Sequence, residues 1–154
     1  MSTTRRVSPV SGTSLASPRV EGYPFVHEET VRFSDIDGMG HVNNAIFSAY
    51  LEQARLAWFG RYAEDEPMPL RDVILARTEI DFRSPLVYGE TVSIGVRPSR
   101  LGTKSFEFEY ELRAGERLVA EAKSVLVGYD YSAGRSTEVP SRWRRRLEPA
   151  QAAR

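Results

Sequence analysis

Val31-Arg32-Phe33-Ser34-Asp35-Ile36-Asp37-Gly38-Met39-Gly40-His41-Val42-Asn43-Asn44 is the stretch on which the reading of the chain turns. The acids and glycines of Ser34–Gly40 mark a turn, because short Asp side chains bond to nearby backbone and glycine admits left-handed conformations. Directly behind it, Asn43–Tyr62 predicts the only long helix. Asn43 or Asn44 can cap its start by accepting from the unpaired N–H groups of the first turn. Ile46, Ala49, Tyr50, Leu51, Ala54, Ala57 and Trp58 cover a wide arc, with a narrow polar stripe at Ser48, Glu52 and Arg55. A helix so apolar around its circumference is one that other elements wrap.

On either side of this unit the pattern changes to strands. Upstream, Phe25, Val31 and Phe33 supply the apolar positions of a first strand within Tyr23–Phe33. Downstream, Ala76, Thr78, Ile80 and Phe82 alternate with Arg77, Glu79, Asp81 and Arg83. Val92, Ile94 and Val96 alternate with polar or small residues, and Phe106, Phe108, Tyr110 and Leu112 alternate with Glu107, Glu109 and Glu111. Period-two alternation predicts antiparallel sheet with one face buried and one wet. Ala114-Gly115 marks a hairpin turn, and Arg117–Tyr129 returns as the last strand. Pro140 opens a short basic segment, Ser141–Leu147, long enough for one or two helical turns. Strand, loop, long helix and four more strands make an α+β domain, a five-stranded antiparallel sheet around one helix.

The chain of 154 residues has the size of one domain, and 41% hydrophobic with 27% charged residues is a globular composition. It has no cysteine, which removes thiol nucleophiles, disulfides and cysteine-built metal sites. No apolar run approaches the roughly 20 residues needed to cross a bilayer. No signal segment follows Arg5 and Arg6, so a cytoplasmic location without membrane partners is expected. The net charge of zero is unevenly spread: +3 over residues 1–20, +4 over 141–154, and therefore −7 between. Basic groups confined to the ends predict a leader (1–20) and a basic tail (141–154) around a domain at 21–140. They do not suggest a nucleic-acid-binding face.

The loop carries the chemistry. Asp37 lies between a strand and a helix start, beside backbone donors near His41 and Val42 at the positive end of the helix dipole. Such donors suit a carbonyl whose oxygen becomes negative during attack. Gly38 and Gly40 let backbone approach a ligand without a Cβ in the way. A turn-forming or capping Asp is the plain alternative for Asp37. His41 suits loop orientation or ligand contact more than proton transfer, and Asn43 and Asn44 suit a cap plus a group positioning water. Glu52 is a second carboxylate, for which an ion pair with Arg55 on the helix is the simpler account. Asp35, Asp37 and His41 have only His27 as a further imidazole, too few for a metal site, and no metal or cofactor is expected. Neither a Gly-x-Ser-x-Gly elbow nor a phosphate-binding glycine fingerprint is present.

The same stretch, followed by Tyr50-Leu-Glu52-Gln-Ala-Arg55 and by Glu79-Ile-Asp-Phe-Arg-Ser-Pro85 with Gly89-Glu90, resembles the 4-hydroxybenzoyl-CoA thioesterase-like branch of the hotdog superfamily. The resemblance covers roughly residues 23–130. It implies a hotdog fold, hydrolysis of an acyl- or aryl-CoA thioester, and an aspartate at Asp37 acting as nucleophile or as general base for water. Asn44 stands where some members carry histidine. The resemblance also implies homodimers or homotetramers, with the acyl group in an apolar tunnel at the subunit interface. Coenzyme A brings phosphates to a domain that is net acidic, so local cations must attract it. Arg83, Arg97, Arg100 and Lys104, near strand ends and loops, are the candidates. The rival readings are a non-catalytic acyl-CoA-binding domain and a hydratase of the same fold.

Overall fold

The computed structural model describes residues 18–62 and 72–149. Most of the expected leader therefore lies outside the described residues. Strand β1 (Phe25–Thr30) leads through a short 3-10 turn (Phe33–Asp35) to helix α1 (Asn44–Tyr62). Strands β2 (Val73–Phe82), β3 (Thr91–Leu101), β4 (Ser105–Ala114) and β5 (Arg117–Asp130) follow, then a two-residue β6 (Arg135–Ser136) and helix α2 (Ser141–Leu147). The long strands pair antiparallel in the order β1-β3-β4-β5-β2, and β6 adds to β5 as a sixth strand.

Helix α1 starts where its sequence provides a cap. The Asn43 side chain accepts the Ala45 N–H at 2.9 Å, satisfying an otherwise free first-turn donor. Phe47, Tyr50, Leu51, Ala54, Arg55, Trp58 and Phe59 form its buried face, at the spacing of one helical side. They meet Val92, Ile94 and Val96 of β3 and the β4 row Phe106, Phe108, Tyr110 and Leu112, all buried. Ring edges interlock through this layer, with Trp58 and Phe59 at 5.0 and 5.7 Å from Phe108. The sheet wraps this buried face of the helix, while Ala49 and Glu52 on the other side are exposed.

Two expectations change at the margins of the sheet. β2 is an edge strand, and its apolar residues are not covered as the alternation suggested. Ala76 is exposed at a bulge between Leu75 and Arg77, and Leu75 and Phe82 are each 45% exposed. The tail reading also fails for Ser141–Leu147. Trp143 and Leu147, one helical turn apart, are buried in the main core, with Trp143 edge-on to Phe59 at 5.3 Å. The arginines of α2 stay outward: Arg142 pairs with Asp72, Arg144 donates to the Gly102 carbonyl, and Arg146 lies over the Trp143 ring.

Candidate functional site

The chain leaves β1 and turns through Asp35, a carboxylate with 3% exposure. Its Oδ2 accepts from the Tyr50 hydroxyl at 2.6 Å and the Arg32 N–H at 2.9 Å, while its carbonyl accepts the Asn43 N–H at 2.9 Å. Asp35 thus fastens the loop to α1 at two points. Burial alone would raise the Asp35 pKa. The Tyr50 hydroxyl, the Arg32 N–H and the Arg32 charge outweigh it and hold the group below its ordinary 3.8. Burial and the Asp35 carboxylate together push the Tyr50 hydroxyl well above its ordinary value. Sequence reading passed over this pair because the two residues are 15 positions apart.

A group with a depressed folded pKa contributes stability that is present above its unfolded pKa and lost as pH falls through the folded value. Tyr50→Phe removes the donor that opposes burial of the charge. We expect it to cost about 1.5–3 kcal/mol near pH 7. The gap to wild type should narrow once pH falls below 3.8, where the carboxyl also protonates in the unfolded chain. Urea midpoints at neutral and acid pH read this directly, and a pH-independent gap would contradict it.

Beyond Asp35 the backbone closes on itself. Asp37 N–H donates to the His41 carbonyl at 2.9 Å and Gly40 N–H to the Asp37 carbonyl at 3.0 Å. Gly40 has φ +79°, a left-handed conformation that disfavours a side chain. The Asp37 carboxylate is half-buried, and its Oδ1 accepts the Met39 N–H at 2.8 Å. Asp37 therefore does form a turn. Its Oδ2 has no hydrogen-bond partner among the described residues, which leaves one oxygen for chemistry.

The structure sorts the backbone donors differently from expectation. The Val42 N–H, expected to face a substrate, donates to the Leu86 carbonyl at 2.9 Å and is not available. The N–H groups of His41 and Asn44 have no acceptor among the described residues. Next to them lies a cavity of about 280 Å³ lined by His41, Asn44 and Arg83 on its polar side and by Phe47, Phe82, Pro85 and Leu86 on its apolar side. The Arg83–Leu86 segment is held in place by Ser84, which donates to the Leu118 carbonyl at 2.7 Å and accepts from Arg117 at 2.9 Å. Sequence reading missed Phe47, Ser84, Pro85 and Leu86 as cavity residues, since nothing local reveals which strand end faces a helix start.

The remaining expected residues separate. Asn43 serves as the helix cap. Glu52 lies eight positions beyond Asn44, about 12 Å along the axis, on a different groove. No ion pair joins it to Arg55, whose side chain turns inward. Arg83 borders the cavity while pairing with Glu121 at 3.0 Å. Arg97 is engaged by Glu109 at 2.9 Å, by the Gly22 carbonyl and by the Tyr23 ring. Arg100, 3.7 Å from Glu107, and exposed Lys104 lie at the far end of β3. Strand geometry puts Arg100 about 30 Å from the strand start beside the loop. Within one protomer Arg83 alone of the four basic residues meets the cavity. Among the described residues no group of three or more His, Asp or Glu is placed to hold a metal.

Comparison with known proteins identifies the family of the chain. Residues 31–147 match the model of the thioesterase-like superfamily. A 1,4-dihydroxy-2-naphthoyl-CoA hydrolase of Nostoc punctiforme is 28% identical over 124 residues, 75% of this chain and 81% of the relative. A Thermus thermophilus thioesterase, crystallised with coenzyme A and zinc, superposes with TM-score 0.74 at 36% identity, covering 83% of this chain and 94% of that one. The fold alone is shared with a Synechocystis 1,4-dihydroxy-2-naphthoyl-CoA thioesterase, at TM-score 0.68 and 21% identity over 80% of this chain and 94% of the other. With the match spanning both the loop and the sheet behind it, this hotdog-fold chain belongs to the thioesterase-like superfamily.

Proposed function

We propose that the chain hydrolyses an acyl- or aryl-CoA thioester to the free acid and coenzyme A, with Asp37 as its catalytic carboxylate. The observation that carries this reading is the free Asp37 oxygen on a loop fastened to the start of α1, where two backbone N–H groups border a cavity. As general base, Asp37 takes a proton from the water that attacks the carbonyl carbon. As nucleophile, it adds to that carbon itself, and water then hydrolyses the resulting anhydride. Either way the carbonyl oxygen gains charge, the His41 and Asn44 N–H groups are the donors that can meet it, and the thiolate of coenzyme A leaves. Arg83 is the cation placed to attract the nucleotide end, and the Nostoc and Thermus relatives support a CoA-type substrate. The test is thiol release over a panel of acyl- and aryl-CoA esters. Turnover of at least one class is expected. Tight binding with no release would replace this reading by the non-catalytic acyl-CoA-binding one.

The same reading includes a homodimer or homotetramer. β2 is an edge strand of ten residues with Ile74, Leu75 and Phe82 exposed, and long apolar edges recruit a further strand. Phe33, Met39 and Tyr88 expose more apolar surface around the Asp37 loop. A second copy related by a twofold axis covers such features reciprocally. Light scattering at micromolar concentration should give at least about twice the 17.4 kDa of one chain, and a monomer would overturn the assembly.

A further inference from the structure

Arg55 is 6% exposed, yet among the described residues no carboxylate pairs with it. Its Nη1 donates to the Tyr110 hydroxyl at 3.4 Å and to Ser124 Oγ at 3.2 Å, both long contacts to neutral groups. Burial pushes the Tyr110 hydroxyl up despite the opposing pull of Arg55 and Ser124, so the phenol stays protonated and is no counter-ion. Nε and Nη2 have no hydrogen-bond partner among the described residues. A buried guanidinium is ordinarily paired, because desolvating it without an anion is costly.

The open side of Arg55 faces a groove of about 470 Å³ between α1 and β2, walled by Ala49, Leu75 and Ala76. Thr78, whose hydroxyl is 3.4 Å from Ser124 Oγ, completes a polar end. Glu52 and Arg77 stand at the solvent-exposed mouth, where water screens them and Arg77 is already paired with Glu79. The groove is in line with the cavity beside His41. Phe47 and Phe82, in edge contact at 5.0 Å, border that cavity, and from there α1 and β2 run onward in opposite directions. Asn44 and Arg55 are eleven positions apart, about 16 Å along the helix, and helical side chains lean back toward the N-terminus. The span between thioester and guanidinium is that of a medium-length acyl chain.

We propose that the groove between α1 and β2 holds the acyl group of the substrate, and that Arg55, backed by Tyr110, Ser124 and Thr78, binds a carboxylate at its far end. This rests on the thioesterase reading above. A guanidinium receives a carboxylate through two parallel N–H donors, and those are the groups left without partners. The preferred substrates are then thioesters of dicarboxylic acids.

The experiment compares adipoyl- and suberoyl-CoA with hexanoyl- and octanoyl-CoA, pairs matched in chain length. Wild type should favour the carboxylated member roughly ten- to hundredfold in kcat/KM. Arg55→Met should erase that preference through KM while leaving hexanoyl-CoA turnover near wild type, and Arg55→Lys should retain part of it. Melting curves confirm that each variant folds, and the wild-type preference stands as a test even if Arg55→Met does not. Equal hydrolysis within each pair overturns the inference but not the thioesterase reading. Should no thioester be hydrolysed, that reading fails, and free adipate still decides the site. A rise in melting temperature that is larger for wild type than for Arg55→Lys supports it, and no rise for wild type overturns it. Loss of the oligomer in Arg55→Met with the preference unchanged would assign Arg55 to a subunit contact and also overturn the inference.

Discussion

Asp37→Asn should lower kcat for acyl-CoA hydrolysis by about 10²- to 10⁴-fold, the usual worth of a positioned acid–base group. The variant should melt like wild type. The reason lies in the division of labour between the two carboxylate oxygens. Oδ1 accepts the Met39 N–H and shapes the turn, a task the amide oxygen of Asn performs equally well. Oδ2 is the oxygen left for water or for the carbonyl carbon, and an amide nitrogen there is neither base nor nucleophile. KM should change little, because in the proposed reading the groove and contacts to the nucleotide end hold the substrate. Wild-type turnover in a well-folded Asp37→Asn protein would make Asp37 structural, and Glu52 would become the first residue to test.

Trp143→Ala should cost about 3–5 kcal/mol, the range for deleting a large aromatic side chain from a packed core. Against a typical domain stability of about 5–15 kcal/mol, that is a large fraction. The melting temperature should fall by roughly 10 °C or more. Trp143 is 2% exposed and packs edge-on against Phe59, which itself meets Phe106 and Phe108, so the cavity opens into the central aromatic layer. Arg145→Ala, an exposed position on the same helix, is the control and should stay within about 0.5 kcal/mol. Two wild-type melting curves would mean that α2 is not part of the folded domain in solution.

The two variants probe opposite kinds of legibility. Asp37 stood out in the sequence because its neighbours are local: acids and glycines in a row, an amide cap, and a long apolar helix directly behind. The central strands were legible for the same reason, since Val92-Ile94-Val96 and Phe106 through Leu112 show in their own order which side must be dry. Trp143 was not legible. A short arginine-rich helix reads as solvated unless one knows that Phe59 waits across the core.

What the sequence by itself determined is therefore the long elements, their order, and the placing of an acidic turn at the head of the helix. These follow from periodicity, capping and turn chemistry, which act over a few residues. Only the tertiary structure decided which partner each polar group takes. It gave the Val42 N–H to Leu86, turned Arg55 away from Glu52 toward Tyr110 and Ser124, and paired Arg97 with Glu109. It also made β2 an edge, so that residues alternating like a covered strand remain exposed. The physical reason is one of range. A hydrogen bond or ion pair needs its partner within about 3–4 Å, and for these groups that partner comes from a segment brought near only by the closing of the sheet.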